Sequence, residues 1–485
     1  MSKSSLAHRQ TVGEISDGKI PQSAYDDRLH ELIENPPEAI RMESAYEAAY
    51  RTFTLPPGPR VRAFHRMIAG LPFNAGRFQF PFVNTPAQIF SYTFERTPLA
   101  PFTQRFRAAV AKGGAEADLA WTRMSLGTMA MMFAVDLGLQ GHLTGSGPKD
   151  KGEKAAQMRS GWRPNALRLG SKFITISRVD PVGFLLGLGG EIAEWLTNDH
   201  APDEQTMAQA EEGFAAGVFA IVETVLSKSY MQSLALLTEA VNDPGGYGEQ
   251  WVNRFAASWV PTAVKDVAQA IDPVKRHTND IWSSIKARLP YFREDLPAQN
   301  DLWGREIKYS SGFTFGLPGT AGEIAGRGYD ILSPLYGSSY KPEPIDEVML
   351  QDGWNLEMSG HSFHYNGEVV SLRNRPDIKN RFYKLRGGTK PSEMGEFGDK
   401  VLGRYGDKTL LETLNEMVKG KGDLGPDWKE AETPEDRKNL AKGVFNDYRD
   451  AATDFIKDEY ADWFDRVSNA QRRAKGFATI EDDDE

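Results

Sequence analysis

Gly145-Ser146-Gly147-Pro148-Lys149-Asp150-Lys151-Gly152-Glu153-Lys154 is the stretch whose residue types come nearest to a phosphate-binding loop. A true P-loop closes with Gly-Lys-Ser/Thr at the start of a helix, so that the lysine reaches the terminal phosphates and the hydroxyl holds magnesium. Here Gly152 is followed by Glu153, and a carboxylate at that point repels phosphate. Gly187-Leu188-Gly189-Gly190 lacks the preceding strand and the glycine spacing of a dinucleotide site. Small residues inside an apolar segment instead let two helices approach closely. His361 and His364 would share one face of a helix, but the segment around them is turn- and strand-like, and no third metal ligand stands out. Met42-Glu43-Ser44-Ala45 opens like the glutamate–serine step of a lytic transglycosylase, yet the Gly-Leu-Met-Gln-type element that should follow is missing. Glu43 therefore reads as a solvated helix residue. There is no Gly-x-Ser-x-Gly elbow. There is no cysteine either, which removes disulfides, thiolate zinc sites and cysteine nucleophiles together. The expectation is a protein without catalytic residues, metal or cofactor, acting by assembly and surface contact.

The helices that would carry such contacts are unusually apolar. Residues 124–139, 182–195 and 214–226 approach transmembrane hydrophobicity, but each is shorter than the roughly 20 residues needed to cross a bilayer. Each also carries acid: Asp136 in the first, Glu191 and Glu194 in the second, Glu223 in the third. One such residue near a helix centre costs about 2.5–3.5 kcal/mol on insertion. They read as buried helices of a bundle, with repacking against new partners or lipid as the sharper alternative. Met124, Met129, Met131 and Met132, followed by Phe133, form a cluster suited to irregular or changing partners. In the second segment Phe184, Leu185, Gly187 and Trp195 mark the apolar side. Gly183 and Gly187 are a small pair four apart, and Glu191 and Glu194 would face a wet lumen in an oligomer.

The elements that must position these residues are mainly helical. With 40% hydrophobic and 11% aromatic residues the chain can build real cores, and 485 residues call for two or three packing units. A net charge of −10 argues against a general duplex-DNA binder, which needs a basic excess to displace counterions. The N-terminus lacks the apolar core of a secretory signal, so synthesis and first use in the cytoplasm are expected. The fold class is mainly α: an elongated multi-helix bundle with a small β-hairpin and a Gly/Pro-rich irregular segment before a C-terminal helical tail.

Along the chain, residues 1–59 form a polar segment with one helical run at 37–54, whose Ala39, Met42, Ala45, Tyr46 and Ala49 make an apolar stripe, before the Leu55-Pro56-Pro57-Gly58-Pro59 linker. Residues 60–296 form the main helical domain. There Asn84-Thr85-Pro86 is a helix start, with Thr85 as cap and Pro86 at the first helical position, and the helix halts near Thr97-Pro98. A second start follows at Pro101, then a helix over 116–139, a glycine-rich loop over 141–152, and a hairpin of 167–170 with 173–177. Asp180-Pro181 restarts helices, and a long one over 203–240 ends at 242–246. Residues 297–400 read as extended structure that wraps or links. Residues 401–485 read as charged helices over 410–418 and 434–473, with an acidic tail.

Several of these positions together resemble a helical module found in bacteriophage internal virion (ejection) proteins and towards the end of very large phage polyvalent proteins. The resemblance rests on Pro81-Phe82-Val83-Asn84-Thr85-Pro86, Phe94-Glu95-Arg96-Thr97-Pro98, Gly141-His142-Leu143-Thr144-Gly145-Ser146-Gly147-Pro148, Gly161-Trp162-Arg163-Pro164 and Arg178-Val179-Asp180-Pro181. It continues more weakly through Trp259-Val260-Pro261, Ile271-Asp272-Pro273 and Asp301-Leu302-Trp303-Gly304, covering residues 60–345. It implies a virion component packaged in the capsid near the portal, which leaves before the genome and helps form a conduit across the host periplasm and inner membrane. The partners it implies are other ejection proteins, the portal and further copies of the chain, with conditional inner-membrane contact and proximity to genomic DNA without sequence-specific binding. The enzymatic domains of the largest members are absent, so no catalytic residue is carried over, and the matched residues look like turn, cap and packing positions. A static capsid, head–tail or tail protein, and a virion-associated peptidoglycan hydrolase, are the rival readings.

Overall fold

Glycine and proline cut the N-terminal segment into three helices, α1 (Lys3–Ser16), α2 (Tyr25–Glu34) and α3 (Glu38–Arg51). The computed structural model describes residues 3–58, 62, 66, 84–177, 179–197, 260–309, 311–312, 336–356, 362–372 and 374–477. Gly18, at φ 69°, supplies the left-handed turn after α1, and Pro36-Pro37 forbids α2 from running into α3. Leu6, Ala7, Leu32 and Ile40 close a small core between them. Arg28 reaches Glu14 at 2.8 Å and holds its carboxyl down at about 2. The stripe read on α3 does not face that core. Met42 and Tyr46 are exposed, while Ile40 and Tyr50 are buried.

The helix α4 (Asn84–Phe94) opens two residues earlier than expected, so Thr85 lies inside its first turn instead of at its cap, and Pro86 stands at its third position instead of its first. It stops before Thr97-Pro98, where the Thr97 hydroxyl donates to the Phe94 carbonyl at 2.9 Å and accepts from the Leu99 amide at 3.2 Å. The second start falls later than Pro101: Thr103 caps α5 (Gln104–Lys112) by accepting from the Phe106 amide. Gly113 and Gly114 then turn the chain into the 26-residue α6 (Gly114–Leu139).

The chain divides within α6, not at residues 59, 296 or 400. One compact unit comprises Met1–Phe133 with Asp180–Leu186, and the other Ala134–Val179 with Gly187–Glu485. The helix buries Ala120 before that division and Ala134 just after it, and no change of composition marks the point.

In the second unit the loop expected over 141–152 ends early, because Asp150 caps α7 (Lys151–Arg159) by accepting from the Glu153 amide. The hairpin is present as β1 (Ala166–Leu169) and β2 (Lys172–Thr175), with Leu167 opposite Ile174. It grows into an antiparallel sheet of order β1-β2-β4-β3 with β3 (Ser311–Gly312) and β4 (Tyr336–Ser339), both drawn from the segment read as irregular. After Asp180-Pro181, a cis bond, comes α8 (Val182–Thr197). The helices α9 (Thr262–Ile271) and α10 (Ile281–Lys286) follow.

Residues 297–400 are not a wrapping linker. They supply α11 (Pro344–Gln351), the hairpin β5 (Ser362–Tyr365) with β6 (Glu368–Ser371), and α12 (Pro376–Gly388). Both prolines stand at the first helical position, where a missing amide costs nothing. Trp303, Ile345, Met349, Phe382 and Val370 from this stretch form one core with Leu414, Tyr448 and Phe464. Its helical side is completed by α13 (Asp399–Tyr405), α14 (Leu410–Val418), α15 (Gly425–Glu430), α16 (Pro434–Glu459) and α17 (Ala461–Ala474). The run expected over 434–473 bends at Tyr460 (φ −120°, ψ 26°). That bend brings Phe464 against Tyr365 and Phe363, with ring centroids 5.2 and 6.1 Å away. The readings for residues 81–83, 203–246 (with 214–226), Arg178, Trp259, His361 and the tail 481–485 lie outside the described residues.

Candidate functional site

The apolar helix α6 packs with one edge and shows the other. Ala120 and Gly127 are buried and Met124 is partly buried, at spacings of four and three. Gly127 has to be glycine, since any Cβ there would collide with the Arg96 carbonyl. Met124 packs on Phe106 and Ala100, so it belongs to the core and not to a partner-facing surface. On the opposite edge Leu126 is 62% exposed, Met129 66%, Met132 65% and Phe133 60%, with Trp121 a turn and a half earlier also open. Residues 124–135 contain no charge at all. A contiguous run of large apolar side chains left in water marks an interaction surface on a folded protein.

The second apolar helix behaves differently. Phe184 is completely buried, edge-on to Phe90, and Gly187 is buried, while Leu185 and Trp195 are half-buried. These four are packing residues and present no open face. The close approach foreseen for the glycines is real at Gly189, where a Cβ would strike Ala134, and at Gly190, where it would lie 2.7 Å from the Thr144 carbonyl oxygen.

Glu191 and Glu194 do not face a lumen. The loop Thr144-Gly145-Ser146-Gly147 wraps their carboxylates. Gly145 donates its amide to Glu194 Oε1 at 2.7 Å, Gly147 donates to Oε2 at 2.8 Å, and the Ser146 hydroxyl donates to Glu191. Thr144 fixes the loop from below, its hydroxyl donating to the Arg163 carbonyl at 2.8 Å and accepting from the Ala166 amide at 2.9 Å. Gly141 (φ 74°) turns the chain into this loop, and Gly147 (φ 80°) lies under the Trp162 ring. Gly161 (φ 96°) sits against the Ser339 carbonyl, and Pro148 and Pro164 are half-buried in the same turns. The glycine-rich stretch thus binds an anion, but the anion is the protein's own glutamate. Sequence periodicity could not show this, because the partners are 45 to 49 residues apart.

Burial pushes the Glu194 carboxyl up, against the lowering effect of the Gly147 and Gly145 amides. A carboxyl whose folded value lies above its unfolded one favours the folded state most strongly at low pH, and that contribution is lost as pH rises through the folded value. Glu194→Ala should leave the Gly145 and Gly147 amides without their acceptor and cost about 1–3 kcal/mol. It should also flatten the fall in stability above about pH 4.5. Urea denaturation midpoints across acid and neutral pH check both effects.

Among the described residues no helix is long and apolar enough to cross a membrane. Comparison with protein-family models, curated proteins and solved structures finds no match for this chain.

Proposed function

We propose that this chain is a non-enzymatic internal virion (ejection) protein of a bacteriophage. It is packaged near the portal, assembles with further copies of itself through the exposed edge of α6, and helps form the conduit for genome delivery across the host envelope. The observation that supports this reading is the open, uncharged face of Leu126, Met129, Met132 and Phe133. Copies of a chain with net charge −10 repel one another over most of their surface, and so does an anionic bilayer. An uncharged apolar strip is where two like-charged copies can still meet, which favours a second copy as its occupant. The positions behind the resemblance fit too: Gly145, Gly147, Gly161 and Gly304 each stand where a Cβ would collide with another part of the chain, as fold-fixing residues do.

Quantifying the protein in full and in emptied phage particles tests the assignment. The expected result is its presence in full particles and its loss after genome release. Retention in emptied heads would identify a static head or tail component instead. A cleared zone on a peptidoglycan zymogram would overturn the non-enzymatic part.

A further inference from the structure

We infer that the cleft walled by α3, α5 and the first half of α6 binds a neutral, polyhydroxylated ligand of the oligosaccharide class. The cleft measures 640 Å³, within the range of small-molecule sites. One wall is the α3 stripe, whose Ala39, Met42 and Tyr46 line the space and turn away from the core of their own helices. Large apolar side chains at helical spacing that stand open to solvent need another explanation, and the cleft supplies one.

The charged lining says what kind of ligand fits. Arg105 pairs with Glu95 at 3.2 Å, Arg123 with Glu47 at 3.6 Å and Lys112 with Glu116 at 3.0 Å. Arg9 and Glu43 stand exposed at the rim. Four cations thus face four carboxylates, which leaves no net field to draw in a phosphate or a nucleic acid. Alternating planar carboxylates and guanidiniums do offer a dense set of acceptors and donors, which is what a row of hydroxyl groups needs. Tyr46, 50% exposed, offers a flat apolar face for the C–H side of a sugar ring. At the inner end the Tyr50 hydroxyl donates to Glu95 at 2.5 Å and accepts from Arg96 at 3.2 Å, while its ring is flanked by the Arg105 and Arg123 guanidiniums at 5.4 and 5.2 Å. Burial, reinforced by Glu95, pushes that hydroxyl up to about 12, so it exchanges no proton near neutrality. Glu95 is locked by Tyr50 and Arg105. The arrangement suits recognition, with its innermost carboxylate already committed to two partners.

Saturation-transfer NMR on the full chain, with neutral chito- and malto-oligosaccharides as probes, tests this. Transfer to at least one series is expected, with affinity falling roughly tenfold on Tyr46→Ala, the effect of removing one stacked ring. Tyr46 is half in solvent, so the variant keeps its fold, which circular dichroism confirms. Trp282→Ala, at an exposed ring outside the cleft, should bind as the parent does. The inference is overturned by absence of transfer to both series, by undiminished binding in the Tyr46→Ala chain, or by displacement of the sugar by an oligonucleotide or inorganic phosphate.

Discussion

Placing glutamate at both Met129 and Met132 is expected to abolish self-association of the chain while leaving its folding intact. Both side chains are about two-thirds in water, so the change removes little packing, and surface substitutions of that kind stay within about 0.5 kcal/mol. In an assembly the same positions would be dry. Burying a Met, Leu or Phe side chain is worth roughly 1.5–3 kcal/mol, and an unpaired carboxylate in its place adds a desolvation cost of several more. Two such replacements per copy should weaken association by about a hundredfold or more. Sedimentation velocity over a concentration series reads this directly. Met124→Glu on the same helix provides the contrast: it enters the core with Phe106 and Ala120, and should lower the unfolding midpoint whatever the oligomeric state. A parent chain that stays monomeric at all concentrations would remove the second copy as occupant. Loss of vesicle binding with unchanged self-association would assign the face to lipid.

The split between open and buried edges of α6 shows where reading from sequence stops. The extent of the helix was legible, because no charged residue interrupts Met124 to Val135, and glycine stands at the N-terminal end and again past the C-terminal end. Which edge lies inward was not, since methionines and leucines occur all around it and the decision rests on two small residues, Ala120 and Gly127, meeting other parts of the chain. The hairpin β1–β2 was legible from its local turn, whereas β4 is Tyr-Gly-Ser-Ser, with no alternation to betray a strand. Glu191 and Glu194 stand out in the sequence as acids in an apolar helix. The loop that receives them stands out only as a glycine-rich stretch whose Glu153 is wrong for phosphate. Only the fold joins the two. The core of residues 297–400 escaped for a related reason: a Gly/Pro-rich composition reads as extended structure, and nothing local shows that Gly387 packs against Trp303.

A polar contact inside that core leads to the strongest effect on stability. Asp346, on α11, is completely buried, accepting from Arg159 at 2.8 Å and from the Trp303 indole at 3.1 Å, while the Arg159 guanidinium lies 5.4 Å over the Trp303 ring. Burial pushes the Asp346 carboxyl up and the Arg159 charge opposes it. Asp346→Leu would strand the Arg159 guanidinium, only 10% exposed, beside an aliphatic group and leave the Trp303 N–H without an acceptor. Breaking a buried pair from one side costs about 3–5 kcal/mol, because the surviving charge has lost both water and partner. Replacing both, as in Arg159→Met with Asp346→Leu, exchanges the pair for apolar packing of similar volume and should recover most of that loss. Urea unfolding of the parent, single and double variants separates the outcomes. A single variant as stable as the parent would mean that Arg159 does not depend on Asp346. A double variant as unstable as the single one would place the cost in the Trp303 indole alone. Recovery in the double variant would show that α7, which follows the glycine loop, is joined to α11 by a contact whose polarity the fold can do without, and would leave shape as what the Asp301-Leu302-Trp303-Gly304 turn contributes.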